Sequence, residues 1–363
     1  MISKIVTLGD VCNKGSSNIA QKDLVDRDGI YPIYGAAGYI KNVDFAHQDK
    51  PYLAVVKDGA GIGRVMKLPA NSSIIGTMQY ILPKGNIDID YLYFALQYMN
   101  LSKYFSGSTI PHIYFRDYQK EKLPLPELSE QQGKAYVLLR IEQLIECYRQ
   151  QLTKLDELVK SQFVEMFGDP VSNAKAWQMR PLKETCALMT GNTPSRAVKE
   201  YYGSYIEWIK SDNIANSSLY LTAAAESLSE KGAEVGRVVH PGTILMTCIA
   251  GSLNTIGNVA IVDRDVAFNQ QINAIIPHQY DTLFLCYLLK LLKPKLHEAA
   301  SSALKCILNK GNLEAFTAIV PDMALQKEFS SFVVQSDKSK LVVQQSLEKL
   351  ETLKKSLMQQ YFG

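Results

Sequence analysis

Residues 126–168 read PELSEQQGKAYVLLRIEQLIECYRQQLTKLDELVKSQFVEMFG, and residues 321–363 read PDMALQKEFSSFVVQSDKSKLVVQQSLEKLETLKKSLMQQYFG. The second stretch repeats the first at a constant offset of 195 residues, without a gap. Pro126 pairs with Pro321, Gln131 with Gln326 and Gln150 with Gln345. Further along, Lys154 meets Lys349, Leu158 meets Leu353, Lys160-Ser161 meets Lys355-Ser356, and Phe167-Gly168 meets Phe362-Gly363. A register held over such a length marks an internal duplication, and a duplication decides the architecture before any single element does.

Both copies read as long helices. In the first, Ile141, Ile145, Tyr148, Leu152, Leu155 and Val159 are spaced alternately by four and three residues, which is a heptad seam. In the second, Val343, Leu347, Leu350, Leu357 and Tyr361 keep that seam, broken once by Lys354. Ser129-Glu-Gln-Gln132 has the pattern of a capping box, and the Phe-Gly at each end suits a left-handed cap. The two starts match less well, Ser129-Glu-Gln-Gln-Gly facing Ala324-Leu-Gln-Lys-Glu. At 1.5 Å per residue each helix would run on the order of 55 Å. An apolar stripe of that length needs cover, and the other copy is the simplest cover. The expectation is an antiparallel coiled coil.

The rest of the chain repeats too, with more drift. Ile5–Leu8, Gly29–Tyr34, Pro51–Val56, Gly63–Met66 and Met78–Leu82 are short β-type runs, and Ile89–Tyr98 reads as a helix. Downstream, Pro181-Leu182, Gly203–Ile209, Gly242–Thr247, Ile256–Val259, Ile275–Pro277 and the helical Leu283–Leu292 follow in the same order. The fold class expected is α+β: two similar mixed globules separated by two long helices. The boundaries expected are 1–125 and 169–320 for the globules, 126–168 and 321–363 for the helices.

Composition narrows the class. With 47% hydrophobic and 21% charged residues, the 363-residue chain reads as folded domains rather than a disordered segment. No apolar run reaches the length of a membrane span, and Met1-Ile-Ser-Lys-Ile-Val lacks the apolar core of a signal peptide. The six Cys are scattered with no Cys-x-x-Cys pair, so reduced buried thiols in a cytoplasmic protein are expected.

No catalytic or metal-ligating constellation stands out. The five His show no ligand spacing, and no nucleophile elbow, Walker loop or Asn-Pro-Pro-Tyr/Phe tetrapeptide is present. Asp58-Gly-Ala-Gly-Ile-Gly63 resembles a nucleotide-binding loop, yet Arg64-Val-Met-Lys-Leu-Pro69 follows it as strand and turn, so a loop between strands is the better reading. This favours recognition over catalysis. Basic residues at Lys57, Arg64, Lys67 and Arg116, and at Lys290, Lys293, Lys295, Lys305 and Lys310, could contact phosphates. Ser108, Thr109, His112, Ser252, Asn254, Gln270 and Gln271 could read base edges. For any one of them an ordinary solvated surface is the simpler reading, and a net charge of +3 permits a nucleic-acid partner without requiring one.

Taken together, the duplicated globule-plus-helix plan resembles the specificity subunit of Type I restriction-modification enzymes. The pattern Leu123-Pro-Leu-Pro-Glu-Leu-Ser-Glu-Gln131, its looser echo Ile319-Val-Pro-Asp-Met-Ala-Leu-Gln326, the Leu152-x-x-Leu155-x-x-Leu158 run and the Gly61-Ile-Gly-Arg-Val65 turn carry the likeness. The resemblance implies two target-recognition domains, each reading one half of a bipartite asymmetric site on double-stranded DNA. It implies that the helices set the spacer and dock two modification subunits. These bring S-adenosylmethionine and methylate adenine, and restriction (translocase-nuclease) subunits complete the assembly. The chain itself would bind no cofactor and catalyse nothing. Two other classes stay open: a methyltransferase or nuclease with its own site, and a coiled-coil adaptor without DNA specificity.

If the helices are a ruler, inserting one heptad into both should change the spacer length, read by mapping methylated sites, while the recognised bases stay the same. Unchanged spacing would refute the ruler role.

Overall fold

The structure, a computed structural model, describes residues 4–106, 111–215, 218–300 and 306–363. The chain divides into two units, one formed by Met1–Gln151 with Val343–Gly363, the other by Leu152–Val342.

In the first unit a four-stranded antiparallel sheet runs in the order Cys12–Ser16, Met78–Pro83, Tyr52–Val56, Val65–Leu68. Tyr52–Val56 is buried at every position because both faces of the sheet are covered. Successive side chains of a strand point to opposite faces. Leu53 and Val55 therefore join the core under the helix Ile89–Met99, while Tyr52, Ala54 and Val56 face a second cluster with Ile74, Met78 and Tyr80. Tyr31–Gly35 pairs antiparallel with Gly38–Val43 and parallel with Ser73–Ile74. Lys4–Thr7 pairs with Lys122–Leu125 and ties the two ends of the globule together.

The second unit repeats this plan. Its four-stranded sheet runs Cys186–Thr190, Ile272–Pro277, Ile244–Thr247, Val259–Ile261. The register is kept as well, since Cys12 opposite Pro83 recurs as Cys186 opposite Pro277. Ile206–Ile209 pairs parallel with Val266–Phe268, and Met179–Pro181 with Thr317–Ile319 closes the globule. The mixed fold expected from the duplication is what the chain adopts. Burial pushes the Cys186, Cys248 and Cys286 thiols up to about 11 and that of Cys12 up to about 12, so these four act as packing groups. Cys147 is exposed.

The two long helices are Leu128–Phe167 and Met323–Phe362, 40 residues each. In the first unit Lys354 meets Glu142 at 2.6 Å and Arg149 meets Glu351 at 2.7 Å, an order that makes the segments antiparallel. Ile141, Ile145, Val343 and Leu347 are buried between them, and Tyr148, Leu350 and Leu357 are half-buried. Lys354, which breaks the seam in the sequence, is satisfied there by Glu142 and lies 5.8 Å from the Phe94 ring centroid. In the second unit Lys340 meets Asp156 at 2.6 Å and Phe163 meets Phe329 ring to ring at 5.2 Å, again antiparallel. Leu152 and Leu155 are half-buried there, and Val159 is fully buried.

The capping box expected at Ser129 does not form. The Glu127 carbonyl accepts from the amides of Glu130 and Gln131, which places Ser129 inside the first turn. The start is fixed instead by Gln131, which is buried. Its Nε2 donates to Pro126 O at 2.8 Å and to Asn86 O at 3.2 Å, and its Oε1 accepts from the Asp88 amide at 2.9 Å. Asp88 in turn caps the helix Ile89–Met99, its carboxylate accepting from the amides of Asp90 and Tyr91. Gln326 repeats every contact. It donates to Pro321 O at 2.8 Å and Gln279 O at 3.4 Å and accepts at 2.9 Å from Asp281, which caps the helix Thr282–Leu291.

The far ends of the long helices repeat as well. Phe362 lies 5.0 Å from the Tyr91 ring in the first unit, and Phe167 lies 4.8 Å from the Phe284 ring in the second. Gly168, with φ +76°, closes the first helix in the left-handed conformation and donates to Val164 O.

Gln326→Ala should cost about 1–3 kcal/mol in urea denaturation, because it strands the Asp281 amide and the Pro321 carbonyl in a buried site. A change within about 0.5 kcal/mol, ordinary for a surface substitution, would contradict this role.

Candidate nucleic-acid interface

One end of the four-stranded sheet is built the same way in both units, and most of the candidate residues lie there. In the first unit the amides of Lys57 and Asp58 donate to Thr77 O, Ile113 N donates to Lys57 O at 3.0 Å, and Gly63 N donates to Val56 O at 2.8 Å. In the second, Cys248 and Ile249 donate to Gln271 O, Leu308 N donates to Cys248 O at 2.8 Å, and Gly257 N donates to Thr247 O at 2.9 Å. Lys57, Thr77, Ile113 and Gly63 are therefore equivalent to Cys248, Gln271, Leu308 and Gly257. Three loops meet at each rim: the one after Tyr52–Val56 or Ile244–Thr247, the turn before Met78–Pro83 or Ile272–Pro277, and the segment ahead of Lys122–Leu125 or Thr317–Ile319.

The Asp58–Gly63 loop joins Tyr52–Val56 to Val65–Leu68 as a hairpin rather than opening a helix. Gly59, Gly61 and Gly63 all have φ between +80° and +87°. Gly63 is held for a second reason, since a Cβ there would fall 2.6 Å from the Ser102 amide.

On the first rim the structure brings together Lys57, Arg64, His112 and Arg116. Arg64 is exposed and donates through Nη1 to Ala36 O at 3.1 Å. Lys57 Nζ lies 3.7 Å from the Asp58 carboxylate, which also contacts His112 Nδ1. Burial of the ring, with the Lys57 ammonium beside it, draws the His112 pKa below its ordinary value. The Tyr114 ring is 4.0 Å from the His112 ring and 4.6 Å from the Arg116 guanidinium, and it remains 43% exposed.

The second rim gathers Ser252, Asn254, Gln270 and Gln271, with Lys310 just beyond. Ser252 accepts from the Asn254 amide. Gln270 Oε1 accepts from the Thr193 hydroxyl. Gln271 and Asn269 bond reciprocally, Asn269 Nδ2 to Gln271 Oε1 at 3.2 Å and Gln271 N to Asn269 Oδ1 at 3.1 Å. Lys310 opens the helix Lys310–Ala315 and pairs with Glu314 at 3.4 Å.

Other candidates fall elsewhere. Lys67 is bonded to Asp90, at the start of the helix Ile89–Met99. Ser108, Thr109 and Lys305 lie outside the described residues. Three lysines of the basic run are structural. Lys290 donates to Ser218 O, Lys295 to Val171 O, and Lys293 to Asn254 O and Asn258 Oδ1 at 2.6 Å each. Burial draws the Lys293 pKa down. Its place is under the second rim, where it holds the loop that carries Asn254.

Sequence reasoning missed Asp58 and Tyr114 on the first rim and Thr193 at the second, and it gave Lys293 a phosphate contact where the structure gives it a supporting one. Tyr114 had a local signal, being flanked two residues away on either side by His112 and Arg116. Among the described residues no group of three or more His, Cys, Asp or Glu is placed to hold a metal ion, and no helix is long and apolar enough to cross a membrane.

The chain matches the family described as Type I restriction modification DNA specificity domain over residues 3–157 and 174–352. It is 31% identical over 116 residues to the Type I restriction enzyme HindI specificity subunit of Haemophilus influenzae, covering 31% of this chain and 24% of that one. It is 34% identical over 124 residues to the MjaIX specificity subunit of Methanocaldococcus jannaschii, covering 33% and 27%. The aligned stretches thus span about a quarter of these two relatives. Two solved structures share the fold over 99% of this chain. The S subunit of a Type I restriction-modification system from M. genitalium aligns at TM-score 0.65 with 14% identity, covering 96% of that chain. A chain from a structure concerned with complex assembly and conformational transition of the type I R-M system aligns at 0.54 with 15% identity, covering 97%.

Proposed function

This chain belongs to the Type I restriction modification DNA specificity domain family, and from that membership we propose that it is the DNA-recognition subunit of a Type I restriction-modification complex. Each unit reads one half of a bipartite, asymmetric site with the three-loop rim at its sheet end. The observation that carries this reading is the pair of equivalent rims, alike in backbone and different in side chains, within the two matched regions. Equal backbones give equal approach to a groove, and different side chains give two different half-sites.

The long helices set the spacer and dock two modification subunits. Support comes from a face that the repeat keeps without using it internally. Lys154, Leu158 and Ser161 fall at i, i+4 and i+7, as do Lys349, Leu353 and Ser356, and all six are exposed. Leu158 and Leu353 are 49% and 46% exposed, outside the helix seam. Two copies of one surface suit two identical partners. S-adenosylmethionine then belongs to those partners, which methylate adenine in each half-site, and restriction subunits join the same assembly. This chain contributes binding and geometry rather than catalysis.

Methylation mapping of genomic DNA from cells carrying the chain with its modification subunit should give a split motif, with N6-methyladenine in both halves. No new methylated motif, with the modification subunit expressed and bound, would contradict the proposal.

A further inference from the structure

The two rims are built on one backbone plan but carry different chemistry. The first loop offers Lys57, Asp58 and Arg64, and the segment beside it adds His112 and Arg116. The equivalent loop of the second unit, Cys248–Gly257, has no charged residue, and the turn equivalent to Gly76-Thr77 is Gln270-Gln271. A cationic rim thus stands in one unit where an amide rim stands in the other.

We propose that these rims read half-sites of different base composition. The first unit contacts a G·C pair through Arg64 and Arg116. The second contacts an A·T pair, other than the one that is methylated, through Gln270 and Gln271. This rests on the reading of the chain as a DNA-recognition subunit.

Guanine presents two acceptors in the major groove, and the planar fork of arginine matches them with two parallel N–H donors. Both arginines are exposed, and each is already oriented. Arg64 is tethered through one nitrogen to Ala36 O, and Arg116 lies over the Tyr114 ring with its Nε 3.5 Å from the Asp117 carboxylate, Tyr114 being itself backed by the His112 ring. Each keeps further donors free for a base. Adenine presents an acceptor beside a donor, and a carboxamide matches that pair. Gln270 is oriented by the Thr193 hydroxyl and Gln271 by its reciprocal bonds with Asn269. In both cases the amide oxygen keeps a second lone pair and the amide nitrogen keeps its donors for a base. Fixing these side chains before binding reduces the rotamer freedom lost on contact.

The test is methylation mapping with the full chain and its modification subunit, comparing wild type with Arg64→Ala, Arg116→Ala, Gln270→Ala and Gln271→Ala. The arginine variants should relax discrimination at a G·C pair in one half by about five- to 150-fold and leave the other half strict. The glutamine variants should relax an A·T pair in the other half. Arg116 and Gln270 are exposed, so replacing them leaves folding intact. Arg116→Lys and Gln270→Glu, which keep the stem and lose the matching fork or amide, should relax the same positions. Relaxation of one half by both sets overturns the proposal, as does relaxation of an A·T pair by the arginine variants or no relaxation by any variant. Absence of a split motif in the wild type would instead overturn the DNA-recognition reading itself.

Discussion

A buried glutamine amide holds each globule to the long helix that follows it. Gln131 and Gln326 each bond the amide of an aspartate that caps the globule's own helix, and each donates back to the proline carbonyl at the start of the long helix. A carboxamide both donates and accepts, so one side chain can satisfy a helix N-cap and a chain turn together. The aspartate carboxylate is then free to accept from the amides two and three residues on. Neither glutamine can be exchanged for an apolar residue without leaving buried groups unpaired. This explains why the two positions coincide in the repeat, although the residues around them differ.

The same globule helix is gripped from a second side. Met358 and Phe362, from the end of the second long helix, lie in the core of the first unit with Tyr91 and Phe94. Val159, Phe163 and Phe167, from the end of the first long helix, lie in the core of the second with Phe284 and Phe329. Each unit is therefore completed by segments distant in sequence, and each long helix serves one unit with its start and the other with its end. The two rims lie at the sheet ends. Their side chains can differ between units while the scaffold stays the same.

Much of this was legible in the sequence because the repeat is gapless in the helices, so the matching registers identified seam residues such as Ile145, Leu152 and Leu347 directly. The strands were legible where burial on both faces leaves an unbroken apolar run, as at Tyr52–Val56. The rims were only partly legible. Equivalence between Thr77 and Gln271 depends on backbone bonds, and the second globule has about twenty more residues between its matching strands, which hides the alignment. Charge misled at Lys290, Lys293 and Lys295, since a lysine counts as basic in a sequence even when its ammonium is spent on a carbonyl or amide. Ser129 misled because a capping pattern two residues too late in the chain looks the same as one in place, and only the Glu127 carbonyl distinguishes them.

The most direct measurement is hydrogen exchange on the full chain carrying Phe362→Ala. If each globule is completed by the far end of the other long helix, Ile89–Met99 loses protection while Thr282–Leu291 keeps it. The removed ring would cost about 3–5 kcal/mol, drawn from one unit alone. Unchanged protection of Ile89–Met99, or equal loss in both helices, would contradict the account.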